Sequence, residues 1–247
     1  MSRYFIEVSY KGTNYSGFQI QQNANTIQAE VEKALEIVLK KKHNLVGSSR
    51  TDAGVHACQN FFHFDSEENP QTKIYNLNAL LPACISVKNI FAVPSDAHSR
   101  FDALSREYHY YVYNTKNPFL SDRAYYFPYK LNIETLNQAA QSILNYQNFA
   151  AFSKRNTQVK TFLCDVYISE WQMHKNYLVY KIIANRFLRG MVRGIVSTTL
   201  LAGRNIITLQ EFKNIIENKD CTKASFSAPA QGLFLINIKY KPHIQFY

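Results

Sequence analysis

"FLCDVYISEWQMHKNYLVYKIIANRF", residues 162–187, holds two runs rich in β-branched and aromatic residues that meet at Lys175 and Asn176. Such residues fit the pleated, half-buried surface of a sheet, so the stretch reads as two strands. A junction this short can only join antiparallel neighbours, because parallel strands need a crossover of a dozen or more residues. The stretch therefore predicts an antiparallel α+β fold and argues against a doubly wound parallel sheet. The phosphate-binding loops of such sheets are absent too, since there is neither a GxGxxG nor a Walker pattern.

Outward from this hairpin, each half of the chain mixes several strands with about two helices in similar order. "RYFIEVSY" (3–10) alternates like a strand and runs into the Gly/Asn-rich turn "KGTNYSG". "NANTIQAEVEKALEIVLKKK" predicts a helix with Asn25 as its cap and Gln28 three residues on. Its residues Ile27, Val31, Ala34, Leu35, Val38 and Leu39 fall on one face. "CQNFFHFD", "SVKNIFAVP", "REYHYYVYN" and "GLFLINIKY" read as strands, and "TKIYNLNALLP" as a short helix. "NIETLNQAAQSILNY" predicts a helix with Leu136, Ala139, Ala140, Ile143 and Leu144 inward, and "TLQEFKNIIEN" another. The expected architecture is two similar α+β lobes, 1–104 and 105–247. Each has a mainly antiparallel sheet with helices on one side, and a cleft lies between them.

Lysine and arginine number 28 against 18 acids, a net charge of +10 with a pI near 9.3. That excess points to a polyanionic partner, nucleic acid or an anionic membrane surface. No apolar run approaches the roughly 20 residues of a membrane span, and "MSRYFIEVSYKG" lacks the apolar core of a signal peptide. Cys58, Cys84, Cys164 and Cys221 lie far apart without CxxC pairs, which predicts reduced, mostly buried thiols in a cytoplasmic protein. His56, Cys58 and His63 are close in sequence, but their spacing matches no zinc pattern, so no metal is expected.

Three segments hold candidate chemistry. In "GSSRTDAGVHA" (47–57), Asp-Ala-Gly is good turn chemistry, and Asp52 taken alone reads as a turn residue. Its neighbours argue for more. Arg50 and His56 flank it, and small residues leave room for a ligand to approach. A carboxylate there could serve as a nucleophile if a nearby guanidinium kept it ionised. In "RFDALSREYHYYVYN", Tyr108 and Tyr110 share a strand face, suited either to cross-strand packing or to stacking on an unstacked base. In "NRFLRGMVRGIV", Leu188, Met191, Val192 and Ile195 form one helical face, and Arg186, Arg189 and Arg193 a second. Those arginines suit either phosphate contacts or a solvated face, and Arg193 lies beside the apolar side where it could turn toward a buried acid.

These segments resemble the tRNA pseudouridine synthase A family. "GSSRTDAGVHA" is similar to the family's signature around its catalytic aspartate, and "YFIEVSYKGTNYSGFQIQ" with "TIQAEVEKAL" to its first strand, turn and helix. "SRFDALSREYHYYVYN", "NRFLRGMVRGIV" and "APAQGLFL" resemble its tyrosine, arginine and C-terminal motifs, in the same order along nearly the whole chain. The resemblance implies the pseudouridine synthase fold with an RNA-binding cleft. It makes Asp52 the nucleophile, and Tyr108 the residue that stacks on the target base and a candidate for taking the C5 proton. Arg193 would pair with Asp52, Arg50 would enter the RNA stack vacated by the target, and Leu235 would form part of the apolar pocket wall. It further implies isomerisation without cofactor or metal, and a homodimer bound across the anticodon stem-loop of tRNA at nucleotides 38, 39 and 40. Lys11, Phe18, Ser49, Gln59, Asn60 and Cys164 depart from the family pattern, which leaves open which uridines are modified. Two other readings compete. One is a non-catalytic RNA-binding protein, and the other a hydrolase using Asp52 as base with His56.

Overall fold

The computed structural model describes residues 1–155, 159–174, 177–242 and 244. Along the chain run β1 (Ser2–Tyr10), α1 (Ile27–Leu39), β2 (Val46–Gly47), β3 (His56–Ser66), α2 (Ile74–Leu80), β4 (Ile85–Val93) and β5 (Ala103–Tyr113). They are followed by β6 (Tyr125–Tyr126), α3 (Ile133–Ser142), β7 (Val166–His174), β8 (Tyr177–Ala184), α4 (Met191–Gly203), α5 (Leu209–Glu217) and β9 (Leu233–Tyr240). This is a mixed α+β fold with mostly antiparallel pairing. β7 and β8 pair antiparallel from Val166↔Ala184 to His174↔Tyr177. The junction expected at Lys175 and Asn176 lies outside the described residues.

The chain divides into two compact units, Met1–Ser105 with Phe234–Tyr247, and Arg106–Leu233. The C-terminal strand thus goes with the first unit, whereas the sequence division at 104/105 had grouped it with the second. The reason is a parallel pairing, His56↔Phe234 and Ala57↔Leu235. The Ile238 amide donates to Gln59 Oε1 (2.9 Å), and the Tyr240 hydroxyl to the Ser99 carbonyl (2.7 Å). A strand that returns from so far along the chain has no local signal such as a hairpin turn.

In the first unit the strand order is β4-β1-β3-β9, with β2 added to β3. β1 pairs antiparallel on both sides, and Phe5, Ile6 and Val8 on it are fully buried. Helix α1 is capped by Thr26, whose side chain accepts the Ala29 amide at 3.3 Å, and not by Asn25. Gln28 does not close a capping box. It donates to Glu32 (2.8 Å) and to the Leu45 carbonyl (2.9 Å), and accepts the Ile20 amide (3.1 Å). The helix buries Ile27, Val31, Ala34, Leu35 and Leu39 and stops at Lys40, which turns left-handed at φ 51°.

In the second unit the order is β5-β8-β7, with β6 parallel to β5. Helix α3 packs on β7, α4 and α5. It ends at Ser142 in a 3₁₀ turn, which rotates Leu144 into solvent; the helical pattern had placed that residue inward. Helix α4 begins only at Met191, because Gly190 at φ 76° breaks the backbone before it. Arg186 and Arg189 therefore precede the helix, and the expected arginine face reduces to Arg193. Of the four cysteines only Cys164 is buried, and Cys58 is exposed, so the expectation of mostly buried thiols fails. No helix among the described residues is long and apolar enough to cross a membrane.

His63 is a buried group sensitive to acid. Its Nδ1 accepts the Ser99 amide (3.2 Å) and lies 2.9 Å from the Ser99 hydroxyl. Burial, reinforced by the neighbouring His98 and Arg3, pushes its imidazole down to about 4. The unfolded chain takes up this proton near the ordinary value of about 6.5 and so binds more protons between the two values. Stability should fall as pH drops from about 6.5 toward 4. Urea midpoints at neutral pH and at about pH 5 should differ less in His63→Gln than in the unsubstituted protein. An equal difference would rule out His63 as a main source of the acid sensitivity.

Candidate active site

Asp52 sits in a tight turn closed by the Val55 amide on its own carbonyl (3.2 Å), with Gly54 at φ 80°. A side chain at 54 would be strained there, so this glycine is needed by the backbone. The residues before the acid are tied to the sheet one at a time. The Ser48 amide donates to the Phe61 carbonyl (2.8 Å), and Asn60 Nδ2 to the Ser49 carbonyl (2.9 Å). Asn60 Nδ2 also reaches the Tyr10 hydroxyl (3.1 Å), which lies 2.9 Å from Thr51 Oγ1. All three of these side chains are buried, and their polar atoms satisfy one another. Asp52 itself is half-buried, and Arg50 is exposed.

The first turn of the chain supports this loop from behind, through glycines. A Cβ at Gly12 would stand 2.0 Å from the Val55 carbonyl oxygen. One at Gly17, already at φ 114°, would meet the Thr51 oxygen at 3.1 Å. Backbone thus lies on backbone, and the Phe18 amide donates to the Thr51 carbonyl (3.1 Å). Phe18 stacks on Phe62 with centroids 4.4 Å apart and planes at 10°, and Gly47 leaves space for its ring. His56 completes the support. Its Nδ1 accepts the Gly12 amide (3.1 Å), and its buried ring stacks on Phe234 at 4.5 Å. Leu235, the register partner of Ala57, is fully buried at the end of the same stretch.

Tyr108 and Arg193 belong to the second unit. Tyr108 is buried on β5 opposite Ile182, with its ring edge-on to Phe187 at 5.1 Å. Tyr110, on the same face, donates its hydroxyl to the Pro229 carbonyl (2.7 Å). Burial pushes its phenol well above the ordinary range, and the Arg193 charge opposes that shift. Arg193 donates Nε to the Ala228 carbonyl (2.7 Å). Consecutive carbonyls of "SAPAQG" therefore hold the arginine and a tyrosine of the two motifs, an anchoring that residue spacing does not reveal. Gly232 packs against the Tyr110 ring, where a Cβ would come within 2.6 Å.

The sequence matches a family described as tRNA pseudouridine synthase over residues 6–102 and 139–241. The chain belongs to the tRNA pseudouridine synthase family. Among its relatives, the tRNA pseudouridine synthase A of Parabacteroides distasonis is 44% identical over 97% of this chain and 96% of that protein. That of Bacteroides thetaiotaomicron is 43% identical over 99% and 93% respectively, and that of Staphylococcus aureus 35% over 96% and 90%. Membership of this synthase family brings an isomerase activity, and the resemblance read from the five motifs extends over the same length.

The glycine support can be tested directly. Gly12→Ala should lower stability by about 1–3 kcal/mol through overpacking against the Val55 carbonyl. Exposed Asn14→Ala, in the same turn, should stay within about 0.5 kcal/mol. Denaturant titration of both variants decides it, and equal stability would show that the two turns yield without strain.

Proposed function

We propose that this chain, as a tRNA pseudouridine synthase, converts uridine to pseudouridine in the anticodon stem-loop of tRNA, at positions 38, 39 or 40, with Asp52 as the nucleophile. One observation carries the reading. In a chain of this family, the signature aspartate is a half-buried carboxylate on a turn whose flanks are hydrogen-bonded on both sides. Such anchoring keeps a reactive group in place before the substrate arrives.

In the reaction, the bond from C1′ to N1 breaks, the base rotates, and C5 bonds to C1′. The C5 proton is released and N1 takes one up, so the product is an isomer. A uridine in a stem must first leave its stack, which costs a few kcal/mol. Arg50, exposed two residues before the acid, fills the space the base vacates. Tyr108 stacks on the extruded base, Arg193 binds substrate with its guanidinium plane oriented by Ala228, and Leu235 contributes apolar wall. The enzyme works as a cytoplasmic homodimer. The hydrolase reading loses support because His56 is buried and its Nδ1 is engaged by the Gly12 amide.

Transfer RNA carrying tritium at uridine C5 tests the assignment. The unsubstituted protein should release tritium, and Asp52→Ala should release none above background while still binding tRNA. Normal release by Asp52→Ala would remove the nucleophile assignment. Absence of release by the unsubstituted protein, with binding intact, would favour the non-catalytic RNA-binding alternative. Affinity should fall steeply with salt, by about 0.7–0.9 in log-log slope per phosphate contact, and a flat response would count against RNA.

A further inference from the structure

Within the first unit a hollow of about 240 Å³ opens beside the signature loop, and Asp52 is not among the residues lining it. Phe18 lies at its wall, with Gln19, Arg50, His98, Arg100 and Phe101 around it. We propose that this hollow binds one unstacked nucleotide of the RNA other than the target uridine. Its base would lie on Phe101 and its phosphate would be held by the Arg100 guanidinium, while Arg50, at the edge of the hollow, stays with the vacated stack. The proposal depends on the preceding section only in taking RNA as the ligand.

Phe101 is 70% exposed, yet its position is built. Its ring packs on His98 with centroids 4.2 Å apart, and His98 is packed edge-on to His63 at 4.5 Å. His98 Nδ1 accepts the amides of Arg100 (3.1 Å) and Phe101 (3.4 Å). Asp102 accepts the His98 amide (2.7 Å), donates its own amide to the His98 carbonyl (3.0 Å), and is paired with Lys241 (3.0 Å). A single exposed phenylalanine is ordinary on a protein surface. One fixed at the tip of a closed, hydrogen-bonded turn beside two arginines is a combination that suits a nucleotide.

Three features select this occupant. Among the described residues, no carboxylate lines the hollow, while two arginines do, so a phosphate is favoured over an acid-seeking cation. Arg100 already lies over the Phe101 ring, with Cζ 5.8 Å from its centroid, and arginine with an aromatic face is a common platform for unpaired bases. The exposed Gln19 amide offers both a donor and an acceptor for a base edge. The volume lies below the roughly 300–1,000 Å³ of sites for larger ligands, which suits one base. Extruding a target uridine loosens its neighbours, and a second nucleotide captured here would offset part of that unstacking.

The test uses the full chain and C5-tritiated tRNA in single-turnover release, with filter binding across a salt series. Phe101→Ala should raise the dissociation constant and the half-saturating concentration about tenfold. The saturated rate should move far less, and Phe101→Trp should restore affinity. Arg100→Ala should lower the salt slope by about one phosphate contact. A benzophenone amino acid at position 101 should crosslink to a nucleotide other than the one isomerised. Unchanged affinity in Phe101→Ala, failure of tryptophan to rescue, or a crosslink to the target uridine would each overturn the proposal. If tRNA binding depended on Phe101 while the unsubstituted protein released no tritium, the hollow would stand and the catalytic assignment would fall.

Discussion

The contact of Gly12 with the Val55 carbonyl is the constraint on which the candidate site rests. A methyl group at position 12 would lie 2.0 Å from that oxygen, and one at position 17 would press on Thr51. The first turn and the acid-bearing turn therefore meet as bare backbones. The amide of the buried Gly12 donates to His56 Nδ1 (3.1 Å). A buried amide left without a partner would cost about 1–3 kcal/mol. His56 thus has a structural role that accounts for its place four residues after Asp52. Its ring, stacked on Phe234, extends the same support to the returning strand β9.

The second unit uses a comparable device, with main-chain carbonyls in place of amides. Ala228 and Pro229 present consecutive oxygens, one to Arg193 and one to the Tyr110 hydroxyl. Carbonyls on an irregular segment can be aimed in ways a regular strand does not permit, and Pro229 has no amide of its own to satisfy. The hydroxyls of Ser197, Ser225 and Ser227 knit the preceding residues to α4 at 2.6 and 2.7 Å. Arg193 therefore keeps one orientation although its side chain is long and half-exposed.

Periodicity made most elements legible, because strand and helix patterns need only local sequence. The hairpin reading of 162–187 led to the antiparallel pairing of β7 and β8, and the alternation of 3–10 to β1. The failures share a cause, which is that neighbouring backbone or distant chain settled the outcome. Asn25 and Thr26 are both good caps, but it is Thr26 that accepts the Ala29 amide, and Gln28 turns instead to the Leu45 carbonyl. Arg186 and Arg189 looked helical until the left-handed Gly190 interrupted the run. β9 joined the first unit through a parallel pairing to β3, for which no local signal exists. Asp52 was legible as a candidate because its chemistry is written in one stretch. The Tyr10–Asn60–Thr51 network that holds it is spread over 50 residues and was not.

That network also explains why a polar interior is kept where an apolar one would pack more simply. A buried polar group must be fully satisfied or it destabilises the fold, and in return it accepts partners only in certain directions. Apolar residues at 10, 51 and 60 could still fill the volume between β1 and β3. They would leave the Ser49 carbonyl without its donor and the loop free to settle in several ways. The chain's departures from the family pattern bear on the same region. Asn60 is the donor of the network, and Phe18 stacks on Phe62 and borders the hollow beside Arg50. A larger ring at 18 would have to fit between Gly47 and that hollow, where a Cβ on Gly47 would already meet Phe18 at 2.4 Å. The size of this one aromatic therefore links the support of the signature loop to the space offered beside it.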